Sequence, residues 1–292
     1  MKYRKSINIL SSIIIVLAVI AASIGVFSTV GSGPYDIETV RGETVTVYGK
    51  GLYKHMSQDV APQGIAQDYI TLLVAVPLLL LSLIWARRWS LKGRFLLAGT
   101  LGYFLVTYLF YLVMGMYNVL FLVYVTLLGT TFIAFAQTLL SFDLTNLAER
   151  FSESTPVTFI GGFLIFNSIA IGLMWLQVIV PPLLDGSIIP GQVEHYTTLI
   201  VQGLDLGLLL PLSFISGLLF IKRRPFGYLL TPVYFVFLSI LMTALTAKVV
   251  AMGMLGQNVM PAIVIIPLFG IVSIICSILI LKNIREPAHE YA

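Results

Sequence analysis

Charge is what this 292-residue chain has least of: Asp, Glu, Lys and Arg together supply 10% of it. Soluble domains carry roughly a quarter charged residues, so a soluble globular fold is excluded. Cysteine is scarcer still. The single Cys276 rules out an intramolecular disulfide and any cysteine-based metal motif, and its place in the last apolar run makes it a small core residue. No phosphate loop, GxGxxG after a strand, GxSxG or CxxC occurs, and no Ser and His are spaced for a triad. The formal net charge is +4, but the cations cluster at the ends of apolar runs rather than in a basic patch. That arrangement excludes nucleic acid as a partner and points to membrane topology.

Apolar residues make up 58% of the chain, mean hydropathy is +0.98, and fourteen Tyr, eighteen Phe and three Trp suit lipid-facing and interfacial positions. Eight apolar runs stand out, at Ile7–Val30, Asp68–Ala86, Phe95–Met114, Val119–Ser141, Val157–Val180, Thr197–Ile221, Tyr228–Val250 and Met260–Leu281. A helix needs about 20 residues to cross a bilayer, so the chain reads as an all-α transmembrane bundle of eight helices. With the amino terminus inside, only Arg41, Lys50, Lys54 and Lys248 of the 17 Lys and Arg fall outside, which places both termini in the cytoplasm. The first run resembles a signal peptide, with Lys2, Arg4 and Lys5 ahead of it and Ala21-Ala22-Ser23 within it. Its apolar stretch exceeds the usual signal core of roughly 7–15 residues, so it reads as an uncleaved anchor.

The long segment Gly31–Gln67 between the first two runs is the main polar insertion. Its β-branched alternation from Glu38 to Tyr48 around Arg41-Gly42 predicts a short hairpin resting on the outer mouth of the bundle. The connection Phe142–Pro156 divides the chain into a first membrane half, residues 1–150, and a second, 151–292. Each half carries an acid, a proline-broken apolar run and then cations: Asp68, Pro77, Arg87-Arg88 in one and Asp205, Pro211, Lys222-Arg223-Arg224 in the other. Two four-helix halves related by a pseudo-twofold axis along the membrane normal are the expected arrangement.

Asp205 and Asp68 are the foremost candidates for a ligand site, because an intramembrane acid must face the protein or a wet cavity. Gln202 shares the helix face of Asp205, and Gln67 adjoins Asp68. Asp68 is expected at the start of its helix, where capping the dipole competes with function. Lys248 is the one cation near an outer helix end, a partner for Asp205 or a snorkelling side chain. Tyr103, Thr107 and Tyr111 recur every four residues along one face that can line a polar cavity. His55 and His195 stand in outer loops beside Asp59 and Glu194, a set whose residue types suit a divalent metal although no close His pair exists.

The block Val47–Tyr53 through Asp68 to Arg88, with Gly99–Tyr103 and Tyr117–Tyr124 beyond it, resembles an uncharacterised family of bacterial polytopic inner-membrane proteins. That resemblance implies a bacterial cytoplasmic-membrane setting and transfers no functional residues. Three functional classes fit these features: a transporter or binder of a small molecule or ion at an outward-facing polar cavity, a metal-dependent membrane enzyme with its site at the outer face, and a structural or assembly subunit. The lipid bilayer is the partner common to all three.

Overall fold

A computed structural model describes residues 2–286. Among the described residues, eight helices are long and apolar enough to cross a membrane: α1 (Arg4–Phe27), α2 (Ala61–Arg87), α3 (Leu91–Val113), α4 (Phe121–Leu139), α5 (Val157–Asp185), α6 (Ile200–Ile221), α7 (Pro225–Met254) and α8 (Ala262–Asn283). Between α1 and α2 lies an antiparallel hairpin, β1 (Tyr35–Glu38) and β2 (Thr44–Val47), in the register Tyr35↔Val47 to Glu38↔Thr44. One end of the bundle therefore carries the hairpin, and the opposite end carries the arginines that follow α2 and α6.

Several helices extend beyond the apolar runs because local chemistry, not hydropathy, sets their ends. Pro62 sits in the first turn of α2, where its missing N–H costs nothing, so the helix begins at Ala61. Asp68 is thereby two turns into the helix rather than at its start, which corrects the expectation of a capping carboxylate. Ser90 caps α3 by accepting from the Gly93 N–H at 3.0 Å. The seventh helix runs on to Met254, so Lys248 lies well inside its end rather than at it.

Both α2 and α6 are interrupted by a π-helical turn, Thr71–Ala75 and Asp205–Leu209, each followed by a proline one residue into the next turn. A proline cannot donate to the carbonyl four residues back. Here the residue before it reaches five back instead, Val76 to Thr71 and Leu210 to Asp205. The backbone features of this stretch recur 134 positions later. Val76–Arg87 matches Leu210–Ile221, left-handed Trp89 (φ 63°) matches Arg223 (φ 51°), and Gly93 matches Gly227. The two glycines even press on equivalent backbone, that of Trp85 and Ala86 in one copy and of Leu219 and Phe220 in the other. The aligned partner of Asp205 is Thr71, and that of Asp68 is Gln202, so the two acids sit about one turn apart instead of at equivalent positions.

Consecutive helices pair alike in each set of four, α1 with α2 and α5 with α6, α2 with α3 and α6 with α7, α3 with α4 and α7 with α8, but the close packing of α1 on α4 has no comparable counterpart between α5 and α8. Across the centre, α3 packs on α7, where the missing Cβ of Gly99 admits the backbone of Val233 and the side chain of Val236. Gly99 and Val233 are themselves 134 apart. α1 is an integral member of the bundle, burying Ile7, Ile14, Ala18 and Gly25 against α2 and α4. Cys276 is buried in the core as expected.

At the arginine end, the connection before α5 is stitched to the end of α8. Ser152 N–H donates to Asn283 O at 2.9 Å and Arg285 N–H to Arg150 O at 2.7 Å. The Glu286 carboxylate then accepts from the Leu91 and Lys92 amides (2.6 and 3.2 Å) and from Ser90 Oγ (2.6 Å), at the start of α3. At the hairpin end, loops from the two sets of helices meet through polar contacts such as Ser57 N–H to Tyr196 Oη at 3.2 Å, and the first turns of α2 pack on α7.

A tyrosine-held carboxylate and its charged neighbours

Asp68 is 2% exposed. Burial of an unpaired carboxylate is expensive unless hydrogen bonds replace its water. Two tyrosines supply them: Tyr53 Oη donates to Oδ2 at 2.5 Å and Tyr111 Oη to Oδ1 at 2.9 Å. Tyr53 comes from the loop beyond the hairpin, and Tyr111 from the expected stripe on α3. Burial, with the Asp68 charge adding to it, pushes the Tyr53 phenol well above its ordinary value, so it remains a donor. Tyr111 stands in an aromatic cluster with Tyr108 and Tyr124, its ring 5.4 Å from that of Tyr124 and nearly perpendicular to it. A cavity of about 80 Å³ at the hairpin end of α3 and α4 is walled by Tyr111 and Tyr124, one hydrogen bond away from Asp68.

One residue earlier on α2, Gln67 donates to Tyr103 Oη at 2.7 Å and to Thr107 Oγ1 at 3.2 Å. Thr71, in the π turn, bonds the Gln67 carbonyl and lies 3.0 Å from Tyr103 Oη. The Gln67 Oε1 atom is buried without a partner. The structure thus brings together Gln67, Asp68, Tyr103, Thr107 and Tyr111, the first-half candidates, as one polar seam between α2 and α3.

Asp205 lies elsewhere. It is half-buried between α5 and α6, accepting from Trp175 Nε1 at 2.8 Å. Gln202 does not join it; it lines a separate cavity of about 400 Å³ between the hairpin ends of α5 and α6. Lys248 on α7 feels the charges of both Asp68 and Asp205. Neither carboxylate forms an ion pair with it or with any other cation among the described residues, so the expected Asp205–Lys248 pair is not made. At about 1.5 Å per residue, the three charged groups lie about 7–11 Å inside the hairpin ends of their helices. One ammonium is shared at a distance by two acids, one from each set of four helices.

The metal reading is corrected. Among the described residues no three His, Cys, Asp or Glu side chains gather at metal-binding range. His195 Nε2 lies 3.0 Å from the backbone carbonyl of His55, not from its ring. Asp59 accepts from Gln257 at 2.7 Å. Glu194 is half-buried, and desolvation raises its carboxyl above the ordinary value, opposed by Ser57 and reinforced by the Asp59 charge. The four residues tie the outer loops together without converging their donor atoms.

Three participants were not among the sequence candidates. Tyr53 lies in a polar loop, Trp175 reads as a lipid-facing aromatic, and Gly25 of α1 leaves the space that the Asp68 carboxylate occupies. None carries a sequence signal of its own, since each matters only through a residue distant in the chain. Comparison with known protein families, with curated proteins and with solved structures returned no match.

Proposed function

We propose that this multi-pass membrane protein binds and moves a small solute or ion across the bacterial cytoplasmic membrane, with Asp68 as the carboxylate that couples binding to movement. Its termini and arginine-rich end face the cytoplasm, and the hairpin faces outward; the cation split between the two ends supports that orientation. The observation that carries the reading is the buried Asp68, held by hydroxyls alone while sharing the field of Lys248 with Asp205. Intramembrane acids of this kind mark ion and proton pathways. The two prolines and π turns supply places where α2 and α6 can bend beside those acids. Duplicated halves, supported by the 134-residue repeat, supply two bodies that can rock about the α3–α7 contact.

Purified protein in sealed vesicles tests this. A panel of labelled cations, anions and neutral solutes is offered under an imposed pH gradient. Accumulation of one class should be lost on collapsing the gradient and in Asp68→Asn. Accumulation indifferent to both treatments sinks the coupling role. No accumulation of any class, with Asp68→Asn merely lowering stability, favours the assembly-subunit reading instead. Impermeant thiol labelling in a Cys276→Ser background tests orientation at exposed positions: Val40→Cys, 99% exposed on the hairpin, should label in intact cells and Arg88→Cys should not.

A further inference from the structure

The hairpin halves of α5 and α6 do not close on each other. All buried residues of α5 lie between Val157 and Ser168, and none follows in the seventeen positions to Asp185. The first turn of α6, Ile200–Leu204, buries none either. By contrast α2, the counterpart of α6, buries Ala66, Gln67 and Asp68 in its hairpin half and packs along α7. The gap between α5 and α6 is the cavity of about 400 Å³. Its walls are apolar, with Ile179, Leu183, Ile188 and Ile189, and they continue into the lipid-facing surface, where Leu184 is 82% and Ile188 65% exposed.

Thr197, Thr198, Gln202 and Arg41 interrupt this apolar lining, and the last two are the ones that bear on a ligand. Arg41, at the tip of the hairpin, lines the cavity from above. One of its Nη atoms donates to the Glu194 carbonyl, while its Nε is buried with no partner. Among the described residues the guanidinium has no ion pair. Gln202 lines the other side, and its amide takes no hydrogen-bond partner among the described residues. An uncompensated guanidinium above an apolar cleft that opens towards lipid is matched by a molecule with an anionic head and a hydrocarbon tail.

We propose that the cleft between the hairpin halves of α5 and α6 binds an anionic phospholipid from the adjoining leaflet. Its phosphate sits on the Arg41 fork, which suits phosphate oxygens better than a point charge does. One acyl chain fills the cleft beside Leu183 and Ile189, and Gln202 donates to an ester carbonyl. A free inorganic anion gains nothing from the apolar walls, and a zwitterionic lipid carries an ammonium that Arg41 repels. This site is separate from Asp68, so it stands whether or not the coupling role does.

Native mass spectrometry of the full-length protein, released from detergent with phosphatidylglycerol or phosphatidylcholine of identical chains, provides the test. Wild type should retain phosphatidylglycerol about tenfold more than phosphatidylcholine, as expected for a charge-assisted hydrogen bond. Arg41→Gln should lose that preference, whereas Arg87→Gln, at the other end of the bundle, should keep it. Gly203→Phe fills the cleft, and a Cβ there meets no atom within 4 Å, so it should lower retention of both lipids. Equal retention of the two lipids by wild type overturns the proposal. So does an equal effect of the Arg41 and Arg87 substitutions, or full retention in Gly203→Phe.

Discussion

A methyl group placed on Gly25 would lie 1.8 Å from Oδ2 of Asp68, so glycine at one position is the condition for a buried carboxylate at the other. Replacing a helical glycine by alanine ordinarily stabilises, by up to about 1 kcal/mol inside a helix and by less in a last turn such as that of Gly25. Here the clash reverses the sign: Gly25→Ala should destabilise by about 1–3 kcal/mol as the carboxylate is driven off Tyr53. Thermal unfolding in detergent measures it, and Gly25→Ala combined with Asp68→Ala should lose less than the two single effects summed. Additive losses would show that the two residues do not compete for space.

The shared ammonium makes a second prediction. Lys248→Met leaves two acids without their common cation, whereas Lys248→Met with Asp68→Asn or with Asp205→Asn removes charge of both signs. Each double mutant should be more stable than its single-mutant losses predict, by about 1–2 kcal/mol, the range seen for interacting neighbours. That is less than the roughly 3–5 kcal/mol lost when a contact ion pair is broken, because no contact pair exists here. Coupling to only one of the two acids would contradict a cation shared between them.

Glu194 gives the outer loops a pH dependence whose sign is fixed. Its folded carboxyl is raised by desolvation, so the folded loops hold a proton that the opened loops release. Their stability is full below the ordinary carboxylate range and falls as pH rises through the raised value. Hydrogen exchange at the Ser57 amide, which donates to Tyr196 Oη at 3.2 Å, should report more opening at neutral than at acidic pH after correction for intrinsic rates. Glu194→Gln should flatten that difference; a difference of opposite sign would refute the assignment.

Glu286 is predicted to act as a cap for a helix nearly two hundred residues away in sequence. Its carboxylate meets the unsatisfied amides at the start of α3, where negative charge also complements the helix dipole. Glu286→Ala should cost about 1 kcal/mol, the typical loss of an N-terminal cap. Ser90→Ala in the same background should cost about 1 kcal/mol more, since Ser90 Oγ serves the Gly93 amide and Glu286 the Leu91 and Lys92 amides. Unchanged unfolding midpoints in Glu286→Ala would show that the contact carries no stability.

Much of the fold was legible because membrane spans announce themselves by length and by the charges that flank them. The eight helices and the hairpin are where the apolar runs and the Arg41-Gly42 turn put them. The acids, Gln67 and the Tyr103–Tyr111 stripe were legible too, since polar groups in an apolar run must find each other. Their true alignment was less so. Asp68 and Asp205 are 137 apart, while the prolines and the glycines after the arginines are 134 apart, and the backbone follows the latter. Side chains can move one turn along a helix without disturbing it, whereas a proline and a close-packed glycine cannot. The histidines misled for the opposite reason: the loops do meet, but through a backbone carbonyl that no residue type advertises.

The stitching of Arg150–Ser152 to Asn283–Arg285 has a mechanical consequence. Backbone hydrogen bonds and the Glu286 cap rivet the two sets of helices at the arginine end, while at the hairpin end the loops above the α2–α7 contact are held by single side chains such as Arg41, His195 and Gln257. Such a body opens by its outer loops: the rivet and the helices stay and the loops part. Whatever Asp68 receives should then enter from the hairpin side by a parting of Tyr53 and its loop, and the arginine end should move least of all.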